Sequence, residues 1–430
     1  MITPGINSLL RWGVAEVIIE PELVKLLESG RPLKLKQGFD PSRPDIHLGH
    51  TVGLRKLRQF QEMGHQVILI VGDWTAQIGD PSGGSTTRPM LSPEEVKSNA
   101  ETYMKQFFKV VDKEKTQVRW QSEWFGQFGL SDVIKLASKF TVAQLLARED
   151  FNRRYTTGRP IAITELLYPL LQAYDSVVIE ADVEFGGIDQ KFNCLLGREL
   201  QVMMGQPPQQ VFLVPLLVGT DGSQKMSKSL NNYIGIDEPP NDMYGKVMSI
   251  PDPLIMDYFE LVTDVPDEEL EEFRKQLDAQ SVNPMLLKKR LAREIVVQYC
   301  SAEAARGAEE HFTKVVQRRE MPEEITSILF SIPTKKDVIH FWAPDLNIDA
   351  QVAVSPDPVD PSQYHGGTVD VLHTLRLAKS RSEAKRLISQ GSIEFNNRKV
   401  INDTCTFRDD EETIIKVGKR HFVRLVKTDK

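Results

Sequence analysis

The first hundred residues alternate between continuous apolar runs and an amphipathic segment. "PLKLKQGF" (32–39) predicts a strand, and "HTVGLRKLRQFQEMG" (50–64) repeats apolar residues at helical spacing before Gly64, a plausible helix terminator. "HQVILIVGD" (65–73) is a continuous apolar run of the kind buried in a parallel sheet. Strand, helix and strand predict a βαβ unit, whose right-handed crossover places the loop before the helix at the carboxyl edge of an open α/β sheet.

The pattern changes along the rest of the chain. "SVVIEADVEFGG" and "QVFLVPLLVG" predict a second cycle of buried strands. From about residue 240 to 342 the apolar spacing becomes helical, whereas 343–366 is rich in Pro and Asp and predicts a linker. The segment that contains "SRSEAKRLISQGSIEFNNRKV" predicts a helix that Gly391 breaks, followed by a strand.

Composition and charge narrow the class of protein. A chain of 430 residues has material for two or three domains, and it contains no apolar run of about 18 residues that could span a membrane. Its start lacks the basic segment and apolar core of a secretory signal, and its three cysteines are few and far apart. We therefore expect a cytoplasmic protein without a disulfide framework or a zinc cluster.

Charge is unevenly distributed between the end of the chain and its body. The net charge of −7 argues against indiscriminate nucleic-acid binding. Residues 366–430 nevertheless carry 14 Lys and Arg against 9 Asp and Glu. This asymmetry indicates a basic module attached to an acidic body.

The two histidines of "HLGH", His47 and His50, allow a metal site, an anion site or a structural role. A zinc site would need further ligands, and the nearest cysteine is far away in the sequence. Asp40, Asp45 and Asp73 are close enough in the sequence to keep a metal site open.

An anion site is the interpretation that we favour for this loop. His50 begins the predicted helix, whose first backbone amides lack intrahelical partners and whose dipole attracts negative charge. Gly49 allows a planar ring or a backbone to approach closely. Two imidazoles one helical turn apart can donate hydrogen bonds to charge that develops on a phosphoryl group.

A second motif decides between these alternatives. "GSQKMSKSLNNYIG" (222–235) holds Lys225 and Lys228 in a polar loop, which by itself would be interpreted as a solvated basic loop. Together, HLGH and KMSKS resemble the paired signature motifs of class I aminoacyl-tRNA synthetases. The order of the segments resembles specifically the bacterial-type tyrosyl-tRNA synthetases, over nearly the whole chain.

The resemblance implies a fold and a division into domains. It implies an α/β protein with a Rossmann-like parallel-sheet catalytic domain over 1–239 and a helical domain on the tRNA-anticodon side over 240–342. A linker over 343–365 and a small α+β RNA-binding domain over 366–430 would follow.

The resemblance also implies an ATP site. The catalytic residues that it implies are His47, His50, Lys225 and Lys228. The ATP contacts that it implies are Asp40, Ser42, Gly49, Gly187, Asp189, Met226 and Ser227. Mg²⁺ would be carried mainly by the ATP phosphates, because no dedicated set of protein ligands for a metal is evident in the sequence.

The helical segment "ELLYPLLQAYDSV" (165–177) points to the amino acid. Tyr168, Gln172 and Asp175 share one helix face, which is either a partly polar surface or, by resemblance, the tyrosine pocket. In that pocket Asp175 would accept a hydrogen bond from the tyrosine hydroxyl, and Tyr168, Gln172 and Asp80 would hold the ammonium group. Gln190, from "FGGIDQKFN", would contact the carboxylate. A buried carboxylate left without its hydroxyl partner would reject phenylalanine without editing.

Three positions depart from the pattern of the family. Lys36 stands where many relatives carry a tyrosine that touches the substrate hydroxyl, so the completion of that site stays open. Arg88 is the possible substitute for a lysine that is often present early in its loop. Ser42 replaces a threonine and keeps the hydroxyl group.

The C-terminal segment resembles a small RNA-binding module shared by a ribosomal small-subunit protein and some pseudouridine synthases. Its basic cluster is Arg376, Lys379, Arg381, Lys385 and Arg386. The cluster is either a solvated basic helix surface or a set of phosphate contacts, which would make tRNA binding sensitive to salt. The partners that the resemblance implies are tRNA(Tyr), L-tyrosine, ATP and a second copy of the chain.

Three alternatives remain at the level of the sequence. A tryptophanyl-tRNA synthetase shares the fold and both motifs, although the polar helix face favours a phenol over an indole. A small-molecule nucleotidyltransferase could use HLGH, but it would not need KMSKS and a basic RNA module together. A synthetase-derived RNA-binding protein without activity is the third, and the intact histidines and lysines argue against it.

Overall fold

The structure is a computed structural model that describes residues 5–42, 45–82, 91–317, 325–332, 338–358, 360, 362–400, 403–408, 412–418 and 421–428. The chain forms two compact units, Met1–Arg306 and Gly307–Lys430. Among the helices described, none is long and apolar enough to cross a membrane.

The first unit contains a six-stranded sheet surrounded by helices. Its strands are β1 (Glu16–Ile18), β2 (Lys34–Phe39), β3 (Gln66–Val71), β4 (Thr116–Trp120), β5 (Val183–Gly187) and β6 (Gln210–Val214). Helices α1–α8 are Ile6–Arg11, Glu20–Glu28, Leu48–Glu62, Thr75–Ile78, Pro93–Phe107, Ser122–Phe125, Leu130–Ala137 and Val142–Leu145. Helices α9–α16 are Glu149–Thr156, Ile163–Ile179, Lys191–Met203, Pro240–Met248, Ile255–Val262, Asp267–Asp278, Pro284–Tyr299 and Ala302–Phe312, the last of which crosses the unit boundary.

The order of the strands defines where a ligand can bind. The sheet runs β1-β6-β5-β2-β3-β4, and all neighbours are parallel except the antiparallel edge strand β1. Buried residues fill β3 and β6 almost completely, as expected for strands that are covered on both faces. The strand order reverses between β2 and β5, and the crevice outside their carboxyl ends is the usual ligand site of such folds.

The predicted βαβ unit is confirmed as β2, α3 and β3, but α3 starts at Leu48, two residues before the predicted start. His47 is its N-cap, and the ring of His47 accepts a hydrogen bond from the backbone of Gly49. Histidine is not among the residues that usually cap helices, so the sequence did not indicate this start. Gly64 lies beyond the end of α3 with a φ of 94°, as expected for a helix terminator.

The helical prediction for 240–342 is confirmed as far as α16 and is wrong beyond residue 325. The described residues there form β7 (Thr326–Ser331) and β8 (Val338–Ala343). Ile328 and Phe330 are fully buried and alternate with more exposed neighbours, which is the period of a strand. The short apolar run was too brief to distinguish a strand from the end of a helix.

The prediction of a linker over 343–365 is contradicted by two further strands, β9 (Ile348–Pro356) and β10 (Gln363–Gly367). β9 pairs with β8 and with β10, in both cases antiparallel. Pro344 and Pro356 do not interrupt the pairing of β9, because Pro344 lies in the turn before this strand and Pro356 is its last residue.

These strands belong to the same sheet as the predicted small domain. The remaining elements are α17 (Thr368–Thr374), α18 (Arg381–Ser389), β11 (Ile393–Phe395), β12 (Arg398–Lys399), β13 (Thr404–Arg408), β14 (Thr413–Val417) and β15 (His421–Lys427). The sheet order is β12-β11-β14-β15-β7-β8-β9-β10-β13. One hydrophobic core joins Phe330, Phe341 and Leu372. The second unit therefore includes the segment expected to be a linker, while a division of the first unit near residue 239 stays a proposal.

Candidate active site

A cavity of about 340 Å³ lies at the ends of β2 and β5, where the strand order reverses. It brings together most of the site residues that the sequence indicated, from segments far apart in the chain. Those that line it are Asp40, His47, Gly49, His50, Asp80, Tyr168, Gln172, Asp175, Gly187, Asp189, Gln190, Lys225, Met226 and Ser227. Ser42 and Lys228 are not among its lining residues.

The two histidines are held as neutral hydrogen-bond donors. The Nδ1 atom of His47 accepts from the Gly49 amide at 3.2 Å, and the Nδ1 atom of His50 accepts from the His47 amide at 3.2 Å. Burial lowers the pKa of His47 well below its usual value and lowers the pKa of His50 to about 4. Because Nδ1 accepts in both neutral rings, the proton of each ring is on Nε2.

The first amides of α3 are not open to an anion as the sequence suggested. The Leu48 amide donates to the Ile234 carbonyl at 3.0 Å, and the Gly49 amide is taken by the His47 ring. The expectation of unpaired amides in a helix beginning at His50 is wrong at His50 itself, whose amide donates to the His47 carbonyl at 2.9 Å. Hydrogen bonds to an anion at this motif would have to come from the imidazoles.

The KMSKS loop lines the cavity with Lys225, whereas Lys228 is held beside it by another loop. The Nζ atom of Lys225 lies 2.9 Å from Asp189 Oδ2, and Lys228 donates to the backbone carbonyl of Asp45. The loop is held by Asn232, whose Oδ1 accepts from the Ser227 amide at 2.8 Å. No local pattern indicated Asn232, because its role depends on the folding of the loop onto itself.

Asp175 is a buried carboxylate with two protein donors. Its Oδ2 accepts from Gln121 Nε2 at 2.8 Å, and its Oδ1 accepts from Trp124 Nε1 at 3.2 Å. Burial raises the pKa of Asp175 to about 7, although the charge of Lys36 and the two donors oppose this effect. Gln121 and Trp124 were missed by the sequence analysis, since nothing local in "QSEW" links them to a helix fifty residues later.

Asp80 and Gln190 are neighbours in a polar network. Gln190 Nε2 donates to Asp80 Oδ2 at 2.7 Å, and Ser82 Oγ donates to the same oxygen at 2.5 Å. Asn193 Nδ2 donates to Gln190 Oε1 at 3.0 Å, and Arg148 Nη2 lies 3.5 Å from Asp80 Oδ1. The buried Arg148 and Asn193, both missed from the sequence, thus hold two predicted substrate contacts.

Tyr168 is oriented by Asp40. Its hydroxyl donates to Asp40 Oδ2 at 2.8 Å, while Thr75 Oγ1 donates to Asp40 Oδ1 at 2.7 Å. A Cβ at Gly72 would lie 2.3 Å from that same Asp40 oxygen, so the close approach requires glycine. Since the Tyr168 hydroxyl is used as a donor, its oxygen lone pairs remain suited to accept from an ammonium group.

The departures from the family pattern have different outcomes. Ser42 is exposed, and Arg88 lies outside the described residues. Lys36 is fully buried, and it points at Glu184 and helix α10 rather than lining the cavity.

Two features bear on metal and RNA. In the part of the chain that the structure describes, no group of three or more His, Cys, Asp or Glu is arranged to hold a metal ion.

The basic cluster (Arg376, Lys379, Arg381, Lys385 and Arg386) is exposed on and just before α18. Within it, Arg381 pairs with Asp370 at 2.8 Å and Arg386 with Glu383 at 3.5 Å. Such exposed pairs are weak and leave the cluster able to exchange partners.

Comparison with known proteins identifies the two parts of the chain. Residues 28–317 match the family model of tRNA synthetases class I (W and Y), and residues 369–401 match the S4 domain. Solved structures with similar folds include a mitochondrial tyrosyl-tRNA synthetase of Aspergillus nidulans, with a TM-score of 0.59 at 20% identity over 73% of this chain and 92% of that one. The tyrosyl-tRNA synthetase of Archaeoglobus fulgidus complexed with L-tyrosine has a TM-score of 0.57 at 25% identity over 70% and 98%.

Similarity in sequence to bacterial proteins is much higher. A tyrosine–tRNA ligase of Dehalococcoides mccartyi is 56% identical over 421 residues, which cover 98% of both chains. That of Thermotoga maritima is 46% identical over 97% of this chain and 96% of its own. The predicted α/β class I fold with a small C-terminal RNA-binding domain is thereby confirmed, and that domain matches the S4 family. The chain belongs to the class I tRNA synthetases of the tryptophan and tyrosine group, and within it to the bacterial tyrosine–tRNA ligase family.

Proposed function

We propose that the chain is a tyrosine–tRNA ligase, which activates L-tyrosine with ATP and transfers it to tRNA(Tyr). One observation carries this proposal: a single cavity holds residues of both signature motifs together with the buried carboxylate of Asp175. Sequence relatives named as tyrosine–tRNA ligases, which match nearly the full length of the chain, support tyrosine over tryptophan.

The amino acid would be recognised at both of its ends. Asp175 would accept a hydrogen bond from the phenol hydroxyl, in addition to those from Gln121 and Trp124. The ammonium group would be held by Asp80, Tyr168 and Gln172, and the carboxylate by Gln190. Placement of the carboxylate is the main requirement for the first step, since this nucleophile is already ionised and needs no general base.

ATP would bind beside the amino acid. His47 and His50 would donate from Nε2 to the triphosphate, and Lys225 and Lys228 would add positive charge as pyrophosphate leaves. Asp189 would accept from the ribose. The other contacts that we propose for ATP are Asp40, Ser42, Gly49, Gly187, Met226 and Ser227. Mg²⁺ would arrive bound to the ATP phosphates. A terminal ribose hydroxyl of the tRNA would then attack the activated carbonyl.

Exchange of pyrophosphate into ATP, measured with each standard amino acid, tests the function. We expect exchange with tyrosine and none of comparable rate with tryptophan or phenylalanine, because only tyrosine places a hydroxyl donor on Asp175. Tryptophan-dependent exchange at an equal rate would refute the assignment, and no exchange with any amino acid would support an RNA-binding protein without activity.

Replacing His47 or His50 by alanine should slow adenylate formation by about 10²-fold, which is about 2.7 kcal/mol of transition-state stabilisation. The dissociation constant of tyrosine should hardly change, since the rings contact the phosphates and not the amino acid. Both histidines stay neutral, so the ratio of wild-type to variant rate should be constant between about pH 6 and pH 8. Single-turnover measurements check this, with His373→Ala, on an exposed helix position of the second unit, as the control.

The pKa of Asp175, raised to about 7 by burial, predicts the pH dependence of tyrosine binding. A phenol that donates to Asp175 stabilises the ionised carboxylate, so bound tyrosine lowers this pKa and its binding releases a proton. Affinity is therefore complete above about pH 7 and is lost below it, with KM rising about tenfold per pH unit until the pKa of the bound state is reached. The inhibition constant of phenylalanine, which has no hydroxyl group, should stay flat over the same range. Equal pH profiles for both amino acids would contradict the role of Asp175.

We also propose that the chain works as a homodimer in the cytoplasm and holds tRNA with its second unit. Exposed large hydrophobic side chains are concentrated between residues 130 and 163, namely Leu130, Val133, Ile134, Val142, Tyr155 and Ile163. Leu130 and Ile163 are 76% and 80% exposed, which is unusual for such residues and is consistent with an interface. Sedimentation of the wild type and of Ile134→Glu would test the dimer.

A further inference from the structure

A buried pair of opposite charges lies behind the amino-acid end of the cavity. Lys36 on β2 and Glu184 on β5 are directly opposite each other in neighbouring parallel strands, and Lys36 Nζ lies 2.9 Å from Glu184 Oε1. Their side chains are 0% and 1% exposed. Burial of two charges is expensive, and a buried pair by itself is weak evidence for stability. A role in recognition is a reason to retain it.

Both members of the pair form hydrogen bonds with helix α10, and Glu184 also accepts one from Gln209. Lys36 Nζ also donates to the Gln172 carbonyl and to Ser176 Oγ, both at 2.8 Å. Glu184 Oε2 accepts from Ser176 Oγ at 3.2 Å and from Gln209 Nε2 at 2.5 Å. The pair therefore holds α10 on both sides of Asp175, at Gln172 and at Ser176.

Glu184 determines which end of the Gln172 amide faces the cavity. Gln172 Nε2 donates to Glu184 Oε1 at 3.1 Å, and an ionised carboxylate can only accept. The nitrogen of the amide must therefore face Glu184, which leaves Oε1 as the group available in the cavity. An oxygen acceptor is what an ammonium group requires.

The two charges of the pair also shift the pKa of Asp175, in opposite directions. Among the charged groups around this carboxylate, Lys36 of β2 lowers its pKa and Glu184 of β5 raises it, against the larger effect of burial. Its other two partners, Gln121 and Trp124, are neutral donors. Lys36 thus favours the ionised form of Asp175 that can accept from a phenol.

We propose that Lys36 and Glu184 are positioning residues that determine which amino acid the cavity accepts. Glu184 fixes the acceptor end of Gln172 toward the ammonium group, and Lys36 keeps Asp175 an acceptor for the phenol hydroxyl. Neither residue touches the substrate. The inference rests on the proposed function.

Two single variants of the full chain, Lys36→Met and Glu184→Gln, test the inference through the pH profile of tyrosine-dependent exchange. Loss of the positive charge should move the profile to higher pH, and loss of the negative charge should move it to lower pH, each by about one pH unit. At neutral pH, Lys36→Met should also lower the preference for tyrosine over phenylalanine by about tenfold. Glu184→Gln should raise KM for tyrosine by about tenfold with little change in KM for ATP, because the orientation of Gln172 is no longer determined.

Opposite shifts cannot come from a general loss of structure, which would move both profiles alike or neither. Lys34→Met is the matched control, since Lys34 is on the same strand, is partly exposed and pairs with Glu180 at 3.2 Å. Lys34→Met should leave the pH profile of tyrosine-dependent exchange as it is in the wild type. If a single variant does not fold, Lys36→Met/Glu184→Gln keeps the interior neutral; there the pH profile should return toward that of the wild type while KM for tyrosine stays raised.

The outcomes separate this inference from the proposed function. A wild-type chain that does not activate tyrosine refutes the function. A wild type that is specific for tyrosine, combined with single variants whose profiles do not move or move in the same direction, refutes the inference alone. A double variant with a wild-type KM for tyrosine would refute the role assigned to Glu184.

Discussion

Asp175→Asn will lower kcat/KM for tyrosine in pyrophosphate exchange by about 10³-fold, or about 4 kcal/mol, the largest loss that we expect from a single substitution. Both carboxylate oxygens of Asp175 already accept, one from Gln121 and one from Trp124. An asparagine amide would face a donor with its own donor in either orientation. A buried unsatisfied donor costs about 1–3 kcal/mol, and the charged acceptor for the phenol is lost as well.

The comparison with phenylalanine makes this prediction specific. Phenylalanine offers no hydroxyl group, so its weak activation or inhibition should change much less than that of tyrosine. The ratio between the two amino acids should therefore collapse, with KM for ATP nearly unchanged. Equal losses for tyrosine and phenylalanine would indicate a collapsed cavity, and normal tyrosine activation would show that Asp175 is not the hydroxyl partner.

Removal of the sheet of the second unit, by ending the chain after Gln317, should separate the two steps of the reaction. Every residue that lines the cavity lies between Gln37 and Ser227, so tyrosine-dependent exchange should persist near its full rate. Aminoacylation should fall by about 10³-fold, and the remaining tRNA binding should depend less steeply on salt, because the basic cluster on and before α18 is lost with its phosphate contacts.

The position of the cut matters because the second sheet begins at β7. A chain that ends at residue 365 would keep β7 without its parallel partner β15 and would lose β13 and β14 from the same sheet. Such exposed strand edges promote aggregation, so this longer chain should be less soluble than the shorter one. This comparison tests the boundary that the structure places well before the predicted linker.

Point variants of the full chain test whether the basic cluster itself, and not the truncation in general, accounts for the loss of aminoacylation. Lys385→Glu and Arg386→Glu in the full chain replace exposed side chains of α18 and should not disturb its packing. They should reduce aminoacylation at moderate salt and leave exchange intact. If the chain that ends at Gln317 charges tRNA as well as the full chain does, the second unit is not the tRNA anchor; if it stays folded and loses exchange, the division between the units is wrong.

Local patterns in the sequence determined the framework of the first unit. The apolar runs of β2 and β3 and the helical spacing of α3 depend only on neighbours a few residues away, and these are visible in a single sequence. For the same reason Tyr168, Gln172 and Asp175 could be placed on one helix face, and the structure places all three at the cavity. HLGH and KMSKS indicated the family because each is a short, unbroken string.

Only the tertiary structure decided which side chains from these distant segments contact each other. Gln121 and Trp124 meet Asp175 because the helix after β4, α6, packs with α10 in one hydrophobic cluster, a contact that no short-range pattern encodes. The orientation of the Gln172 amide on α10 depends on Glu184, which lies on strand β5. Lys36 could not be interpreted from its position in β2 alone, since its role follows from the parallel partner that stands beside it.

The second unit shows most clearly which features a single sequence does not predict. β7 pairs in parallel with β15, from the opposite end of the unit, and β10 pairs with β13. Sheet pairing between distant segments leaves in each strand only a short alternation of buried and exposed residues, and prolines at strand ends hide even that. The sequence by itself therefore indicated the signature motifs and the inner strands β2, β3, β5 and β6 of the first sheet, while the edge strands β1 and β4 and the extent of the second sheet depended on partners that only the folded chain brings together.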